Sequence, residues 1–413
     1  MERRVVITGL GLITPLGIGT EETWTALCAG RSGVGEITRF NASAYGTRIA
    51  AEVKGFNPED FMARKEAKRT EDFIAYSIAA SRMAIENSGL KIDSSNGHRV
   101  GVLTGCGLGG LRMLEVTAHT VETKGPSRVS PFFIPMLIGN MAAGMISIQF
   151  GARGPNASVA TACAAGSHAI GDAYEIIKYG KADAMITGGV ESVVTPTCIA
   201  GFGAMKALSV RNDEPQKASR PFDRDRDGFV VGEGSGILIL EALEHALERG
   251  AHIYAEMAGY GMSGDGYHMT APSPDGDGAI RCMQAALDDA GIEPAQIGYI
   301  NAHGTSTQYN DLFETRAIKA VFGDAAPTVP VSSTKSMTGH LLGGAGGIET
   351  VFSALVIYNG ILPPTINLEN PGDECDLDYI PNVARKASVT YAMSNSFGFG
   401  GTNASLILKK YTP

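Results

Sequence analysis

The sequence has 413 residues, of which 44% are hydrophobic and 19% are charged. This length allows two ordinary domains or one large duplicated α/β body, and the composition excludes a disordered or fibrous chain. The net charge of −9 argues against a nucleic-acid-binding protein. Any positively charged site for a partner must therefore be local.

The six cysteines include no CxxC pair, so they predict neither a disulfide framework nor a thiolate zinc site. They fit a reducing compartment. No apolar stretch has the length of a membrane span, and the apolar run after Arg3 and Arg4 is predicted to be a buried strand rather than a signal peptide. We expect a soluble, cytoplasmic protein that binds neither membranes nor nucleic acids.

Short β-branched runs alternate with amphipathic helical patterns along the whole chain, as in α/β proteins with buried sheets. The predicted strands form two series of five: 5–8, 100–104, 157–161, 184–189 and 236–241, then 253–261, 297–303, 329–334, 391–398 and 404–410. Predicted helices cover 72–88, 167–179, 278–290, 311–322 and 347–358. The similar order of elements predicts duplicated βαβαβαββ halves, 1–252 and 253–413.

Three familiar motifs are incomplete. Gly105, Gly107 and Gly110 spell GxGxxG after a strand, but no second strand follows at the spacing of a dinucleotide-binding unit, so a tight turn is expected. The DRDRDG run at 223–228 imitates a calcium loop but has glycine at its twelfth position, which favours an internal Arg–Asp network. No cluster has the ligand spacing of a metal site, and no metal is predicted.

The segment 157–180 has a strand that ends at Thr161 and a helix that begins with Cys163 among alanines and glycine. The positive end of that helix would favour the thiolate of Cys163, and the small neighbours leave room for a substrate. This pattern predicts a nucleophile. A buried structural cysteine remains the alternative.

Three further segments carry candidate site residues. His303 stands at the end of an apolar strand, and Lys335 and His340 precede a glycine-rich helix entry. In the run 394–403, Gly398, Gly400 and Gly401 would let backbone N–H groups form an oxyanion hole, or a plain tight turn.

Taken in order, these segments resemble the β-ketoacyl-(acyl-carrier-protein) synthases of the elongating type II class. The motifs that carry the resemblance run from residue 5 to residue 410: ITGLGLITPLG, SPFFIP, TACAAG, RPFDRDRDGFVVGEG, GDGYHMTAP, NAHGTST, KSMTGHLLGGAGG, PPTINLENP and SNSFGFGGTN. The resemblance implies a thiolase-like fold, with the two halves forming a layered α-β-α-β-α body.

It also implies a catalytic set of Cys163, His303 and His340 supported by Lys335. Initiating synthases carry Cys, His and Asn, and thiolases carry a second catalytic Cys, so His340 points to the elongating class. The implied reaction acylates Cys163 from acyl-carrier protein and then condenses it with decarboxylating malonyl-carrier protein to give a 3-oxoacyl product. No cofactor is implied, since the substrates are carried on the phosphopantetheine arm.

Weaker implications concern the surroundings of the catalytic set. The backbone N–H groups of Cys163 and Phe399 would form the oxyanion hole, and Phe399 would act as a gate. Thr305 and Thr307 would hold the pantetheine arm, and Leu108 would bound the acyl pocket near the interface of a homodimer. Ordinary packing remains an alternative for the threonines and Leu108.

A basic patch gives a separate signal for the acyl-carrier-protein partner. Arg64, Lys65, Lys68 and Arg69 have helical i, i+4 spacing, and such a patch could steer an acidic carrier. Lys124, Arg128 and Lys206 are candidates to extend it. A solvated helix face is the alternative.

One stretch departs from the family pattern: Pro-x-Gly-Asp usually follows HGTST, whereas Gln308, Tyr309 and Asn310 stand here before Asp311. Two rival functions remain, a non-condensing chain-length-factor-like subunit and a ketosynthase of a specialised polyketide pathway. The presence of Cys163 argues against the first. The sequence leaves the preferred acyl chain open.

Overall fold

The structure is a computed structural model that describes residues 2–412. Its fifteen strands are β1 Val5–Thr14, β2 Gly17–Ile18, β3 Gly35–Glu36, β4 Ile49–Ala50, β5 Val100–Gly105, β6 Asn156–Val159, β7 Ala184–Glu191, β8 Gly234–Ala242, β9 Ala255–Gly264, β10 Ile297–Asn301, β11 Val331–Ser332, β12 Ile361–Leu362, β13 Arg385–Lys386, β14 Tyr391–Gly398 and β15 Thr402–Lys409.

The α-helices are α1 Thr20–Cys28, α2 Arg64–Ala67, α3 Asp72–Ser88, α4 Leu111–Lys124, α5 Phe133–Leu137, α6 Met141–Phe150, α7 Ala165–Lys178, α8 Pro196–Ala204, α9 Leu243–Glu248, α10 Asp277–Ala290, α11 Gln308–Phe322, α12 Lys335–Thr338 and α13 Ala345–Asn359. Short 3₁₀ helices cover Pro58–Asp60, Gly97–Arg99, Pro126–Arg128, Ala162–Ala164, Pro215–Lys217, Pro294–Gln296, Gly323–Thr328 and Leu342–Gly344.

Ten strands form two matching sets of five. The first set has the order β1-β8-β7-β5-β6 and the second β9-β15-β14-β10-β11. In each set the first three strands are antiparallel to one another. The fourth and fifth strands are parallel to the third. The sets meet where β1 pairs with β9 over three residue pairs. All ten predicted strands are present, in duplicated βαβαβαββ order.

Helices lie on both faces of each set of strands. Helices α7 and α13 contact each other and strands of both sets, so they form the central layer. Helices α3 and α6 cover the outer face of the first set, while α10 packs on the second set with α11 against it. The predicted α-β-α-β-α layering is confirmed. The division into residues 1–252 and 253–413, which falls between α9 and β9, stays a prediction.

Strand β1 continues to Thr14, beyond the predicted end at Thr8. Gly9 and Gly11 do not interrupt it, because they let the backbone of α3 come close. A Cβ at Gly9 would lie 2.2 Å from the Ala84 carbonyl oxygen, and one at Gly11 would lie 1.9 Å from that of Ala80. Glycine in this strand therefore reflects a close helix–strand contact.

We expect Gly11→Ala to destabilise the fold by about 3 kcal/mol, since α3 or β1 must move to admit the new methyl group. Gly201→Ala is the matched control, because it lies in α8 with no atom within 4 Å of its added Cβ. A thermal unfolding midpoint for Gly11→Ala equal to that of wild type would contradict the close contact.

Among residues 2–412, no helix is long and apolar enough to cross a membrane. All six cysteines lie in this range, and all are free thiols.

Candidate active site

A cavity of about 340 Å³ lies where the two halves meet. Cys163, His303 and His340, which come from three distant segments of the chain, all line it. The remaining wall is largely apolar and includes Phe202, Phe229, Leu342, Phe397 and Phe399. The structure therefore brings the predicted nucleophile and both predicted histidines to one cavity.

Cys163 lies in the 3₁₀ turn Ala162–Ala164, which leads directly into α7. The preceding residue, Ala162, has a φ of 49°, a conformation that costs energy for a residue with a Cβ. This sharp turn points the side chain of Cys163 into the cavity at the start of a central helix. The predicted position at a helix N-terminus is confirmed, with the 3₁₀ turn in between.

Burial raises the pKa of the Cys163 thiol to about 12, although the charge of Lys335 and the Phe399 N–H act in the opposite direction. The resting group is therefore a thiol. Burial thus opposes the effect expected of the helix end, whereas the backbone N–H groups that face the sulfur favour the thiolate. Deprotonation must accompany attack on a substrate.

Two backbone N–H groups face the sulfur of Cys163, those of Phe399 and of Cys163 itself. Phe399 belongs to the tight turn 398–401, in which Gly400 and Gly401 have φ values of 83° and 70°. A Cβ at Gly398 would lie 2.8 Å from the Thr161 carbonyl oxygen, just before the nucleophile turn. The close approach allowed by glycine thus places two donors where an oxyanion would form.

His303 follows β10, and His340 lies between α12 and the 3₁₀ turn Leu342–Gly344. Their ring centroids are 5.3 Å apart with the rings nearly perpendicular, and both side chains are buried. Burial, reinforced by the charge of Lys335, holds the pKa of both imidazoles well below the ordinary value. Both rings are therefore neutral at neutral pH and can each donate one N–H and accept one proton.

The turn that carries His303 is held by a buried carboxylate. Glu314 on α11 accepts hydrogen bonds from the backbone N–H groups of His303 and Gly304, both at 2.7 Å. Burial raises the pKa of this carboxyl to about 7. Glu314 is a positioning residue that sets the direction in which the histidine leaves the backbone.

Lys335 begins α12 and is buried with Glu349 of α13, their Nζ and Oε1 atoms being 2.5 Å apart. Lys335 does not line the cavity. Its charge instead acts on the site from behind, lowering the pKa of Cys163 and of both histidines. This placement suits the supporting role predicted for it.

The remaining predicted residues occupy different places. Thr305 and Thr307 line the cavity with their hydroxyl oxygens 2.9 Å apart, and Phe399 packs against Phe202 at the same wall. Leu108 lies outside the cavity with 49% of its surface exposed.

The basic patch is an exposed surface next to a short helix. Arg64 and Lys65 begin α2, and Lys68 and Arg69 follow it, all four exposed, with Arg69 stacked over Phe132 at 4.5 Å. Of the candidate extensions, Lys206 lies at the cavity wall, while Lys124 and Arg128 are exposed near the end of α4. The contribution of these residues to binding stays a prediction.

The departure after HGTST forms the first turn of α11, at the mouth of the cavity. Gln308, Tyr309 and Asn310 line it, and Tyr309 is 65% exposed and stacks on Phe313. The side chain of Gln308 donates to the Arg226 carbonyl oxygen at 2.6 Å. Asp311 and Glu314 keep buried positions, so the departure changes the entrance rather than the His303 turn.

The incomplete motifs have structural explanations. Asp223 accepts hydrogen bonds from Arg220 and from the backbone N–H groups of Asp225, Glu369 and Asn370, which is the predicted Arg–Asp network. The GxGxxG segment is a tight turn, as predicted. Within residues 2–412, no group of three or more His, Cys, Asp or Glu side chains is placed to hold a metal ion.

Sequence reasoning missed two buried carboxylates near the site, Glu191 and Glu349. Each is a single acid beside an otherwise apolar or glycine-rich run, AMITGGVE and AGGIETVFSAL. That isolation is the signal that could have revealed them, because a lone charge in a buried element needs a dedicated partner.

Comparison with known proteins agrees with this geometry. The family descriptions "Beta-ketoacyl synthase, N-terminal domain" and "Beta-ketoacyl synthase, C-terminal domain" match residues 2–246 and 254–369. The chain is 56% identical to the 3-oxoacyl-(acyl-carrier-protein) synthase 2 of Synechocystis sp. and 54% identical to that of Coxiella burnetii, covering 99% of this chain and 99% of each relative.

Solved structures are similar over their whole length. A beta-ketoacyl synthase from Burkholderia phymatum superposes with a TM-score of 0.93 at 38% identity, covering 100% of both chains. A type II polyketide ketosynthase, solved in complex with its acyl-carrier protein, superposes with the same TM-score at 37% identity, again over 100% of both chains.

The duplicated five-layer body with a cysteine at the start of a central helix is the thiolase-like fold of condensing enzymes. The chain belongs to the β-ketoacyl synthase family. The predicted family, fold class and acyltransferase class are confirmed.

Proposed function

We propose that this chain catalyses the elongating condensation of type II fatty acid synthesis, joining an acyl group from acyl-carrier protein to malonyl-carrier protein with loss of CO₂. The observation that carries the proposal is the convergence of Cys163, His303 and His340 on one cavity. A thiol supplies the nucleophile and two neutral imidazoles supply N–H donors, which together meet the needs of both half-reactions.

In the first half-reaction the thiol of Cys163 attacks the acyl thioester. Its proton passes to a neutral imidazole, because the high pKa of the thiol keeps it protonated until then. The N–H groups of Cys163 and Phe399 receive the negative charge of the tetrahedral intermediate. The carrier's pantetheine thiol leaves with a proton, and Cys163 retains the acyl group.

In the second half-reaction the malonyl thioester oxygen accepts hydrogen bonds from His303 and His340. When CO₂ leaves, the negative charge of the enolate develops on that oxygen. The two imidazoles stabilise this charge as neutral N–H donors, so neither ring has to be protonated beforehand. The enolate carbon then attacks the acyl group, and the sulfur of Cys163 leaves as a thiolate that takes up a proton from water. Thr305 and Thr307 hold the arm by hydrogen bonds, and Phe399 separates the two steps as a gate.

Intact-mass measurement tests the proposal directly. The wild-type protein is mixed with acyl-carrier protein and then with malonyl-carrier protein. An acyl adduct should form and disappear on malonyl addition, with release of a 3-oxoacyl product. No adduct across several acyl chain lengths, on folded protein, would favour a non-condensing chain-length-factor-like subunit instead. The 53–56% identity to 3-oxoacyl-(acyl-carrier-protein) synthases, against 37% to the type II polyketide ketosynthase, favours fatty acids as products.

The exposed basic patch is proposed to dock the acidic carrier protein. Replacing the four basic residues by glutamate should raise the KM for acyl-carrier protein about tenfold with little change in kcat; the residues are Arg64, Lys65, Lys68 and Arg69. Electrostatic steering changes the rate at which the two proteins associate and leaves the chemical steps unchanged. Raised salt should weaken wild-type binding and affect the variant less.

Lys91→Glu is the matched charge control. Lys91 is exposed beyond the far end of α3, a helix of 17 residues and therefore about 25 Å long, whose first turn adjoins the patch. Wild-type binding that does not respond to salt would contradict steering by this patch.

A homodimer is proposed from the surface at one end of the first set of strands. Strand β6 is the edge strand there, and the neighbouring helices expose Leu114, Val116, Ile134 and Ile148. An unpaired edge beside an apolar surface favours pairing with a second copy. Leu108 lies on this side and would bound the acyl pocket there.

Six free thiols support the proposed cytoplasmic location.

A further inference from the structure

Glu191 ends strand β7 and is completely buried. Its carboxylate accepts hydrogen bonds from the backbone N–H groups of Gly107 at 2.8 Å, Leu108 at 3.2 Å, Gly109 at 3.1 Å and Gly343 at 3.2 Å. The thiol of Cys106 is a further donor at 3.5 Å. Within residues 2–412, none of its contacts is a cationic side chain.

The turn that imitates a phosphate-binding loop therefore holds an internal carboxylate. Successive N–H groups at 107–109 form the concave anion site that such loops offer, and Glu191 fills it. The packing is tight: a Cβ at Gly107 would lie 2.7 Å from Glu191 Oε2, and one at Gly343 would lie 2.4 Å from the Gly107 nitrogen.

Two turns donate hydrogen bonds to this carboxylate, and a third turn lies beside the first of them. The first carries Leu108, the proposed wall of the acyl pocket. The second carries Leu342, which lines the cavity next to Gly343. The third carries Cys163, whose neighbour Ala162 has its carbonyl oxygen 3.6 Å from a Cβ built at Gly107. Nothing in the condensation itself uses Glu191, yet it joins the parts of the site that must receive an acyl chain.

We propose that Glu191 is a positioning residue that holds the acyl-receiving wall at 107–109 against the turn at 342–344 and, by its negative charge when ionised, restrains the reactivity of the Cys163 thiol. The proposal rests on the proposed role of Cys163 as nucleophile. It predicts two separable effects, one of geometry and one of charge.

The effect of charge follows from the groups that face Cys163. Lys335 favours the thiolate and Glu191 opposes it, each through its charge, while the two histidines are neutral. Burial raises the pKa of the Glu191 carboxyl and its backbone N–H donors lower it. The field of the ionised carboxylate is weakly screened at this depth. The effect of geometry follows from the hydrogen bonds to the turns at 107–109 and 343.

Two variants separate these effects. Glu191→Gln keeps the size of the side chain but removes the charge and one of the two acceptor oxygens, so it changes both charge and geometry. Glu191→Asp keeps the charge but draws the carboxylate back from the N–H groups, so it changes geometry alone. Each is compared with wild type in two measurements: the rate of Cys163 alkylation by iodoacetamide at neutral pH, and the rate of acylation by a long-chain acyl-carrier protein.

For Glu191→Gln we expect alkylation about tenfold faster, since one unit of thiol pKa corresponds to a tenfold change in thiolate, and acylation about tenfold slower. For Glu191→Asp we expect alkylation at the wild-type rate and slower acylation. A purely structural carboxylate would not accelerate one reaction of the same sulfur while slowing the other.

The outcomes distinguish the proposals. Wild-type protein that forms no acyl adduct would overturn the proposed function itself. A wild-type adduct with both variants behaving like wild type would overturn the role of Glu191 alone. Alkylation and acylation slowed together, or variants that fail to fold as judged by thermal unfolding, would show a structural carboxylate and would also overturn the role.

Discussion

Replacing Cys163 by alanine should abolish the acyl-enzyme adduct while leaving the protein folded. The sulfur is the only atom lost, and Cys163 sits in an apolar cluster with Ile37, Val193, Phe229 and Leu342, so the cost to stability should be about 1 kcal/mol. Acyl transfer should fall below detection by intact mass, because alanine offers no atom that can form the thioester.

Cys198→Ala provides the matched control. Cys198 belongs to the same apolar cluster, is buried to a similar degree, and burial likewise raises the pKa of its thiol to about 12. It lies in α8 and does not line the cavity. The Cys198→Ala protein should form the adduct at the wild-type rate. An adduct that survives in Cys163→Ala and disappears in Cys198→Ala would transfer the role of nucleophile to Cys198.

This pair of cysteines shows what makes a nucleophile here. Burial and thiol pKa are alike in both, so neither property identifies the reactive sulfur. Cys163 differs because two backbone N–H groups face it and because it opens onto the cavity shared with the histidines. Its reactivity therefore depends on stabilising the transition state rather than on a stable thiolate in the free protein.

Removing either histidine should slow malonyl decarboxylation about a hundredfold to a thousandfold, the usual effect of losing one donor to a developing oxyanion. Acylation of Cys163 should fall less, because its oxyanion is held by backbone N–H groups. The two rates are measured separately, by CO₂ release from malonyl-carrier protein and by the acyl adduct, in His303→Ala and His340→Ala.

His340→Asn keeps a side-chain donor near the same place, so its decarboxylation should exceed that of His340→Ala. His98→Ala, at an exposed position, controls for the substitution itself. Equal losses of both half-reactions in folded His303→Ala would argue against the assigned role, because the two histidines are proposed to act mainly on the malonyl thioester.

Much of the fold follows from local patterns in the sequence. The ten core strands were predicted because buried strands consist largely of β-branched and other apolar residues. Helices α3 and α10 were predicted from the helical spacing of their apolar residues. No residue ranges were predicted for helices α4 and α6. The start of β1 at Val5 was predicted, but its continuation through Gly9 and Gly11 was not. Glycine normally weakens a strand, and here it is tolerated because the backbone of α3 lies against it.

The candidate site divides in the same way. Cys163, His303, His340 and the 398–401 turn could be found because each stands in a distinctive local segment at the end of a strand. Glu191 and Glu314 accept hydrogen bonds from backbone N–H groups of other elements of the fold. Folding alone brings these groups together, so no local pattern in the sequence predicts the bonds.

The sequence by itself determined the family, the order of strands and helices, and the identity of the three side chains that meet in the cavity. These depend on residue types and spacings that are read along the chain. The tertiary structure decided how burial shifts the pKa values of the thiol and the imidazoles, which carboxylate pairs with Lys335, and which carboxylate binds the Gly107 turn. The physical reason is that these effects arise between groups that only folding brings together. Desolvation and charge–charge energies depend on distance in space and on exclusion of water, not on separation along the sequence.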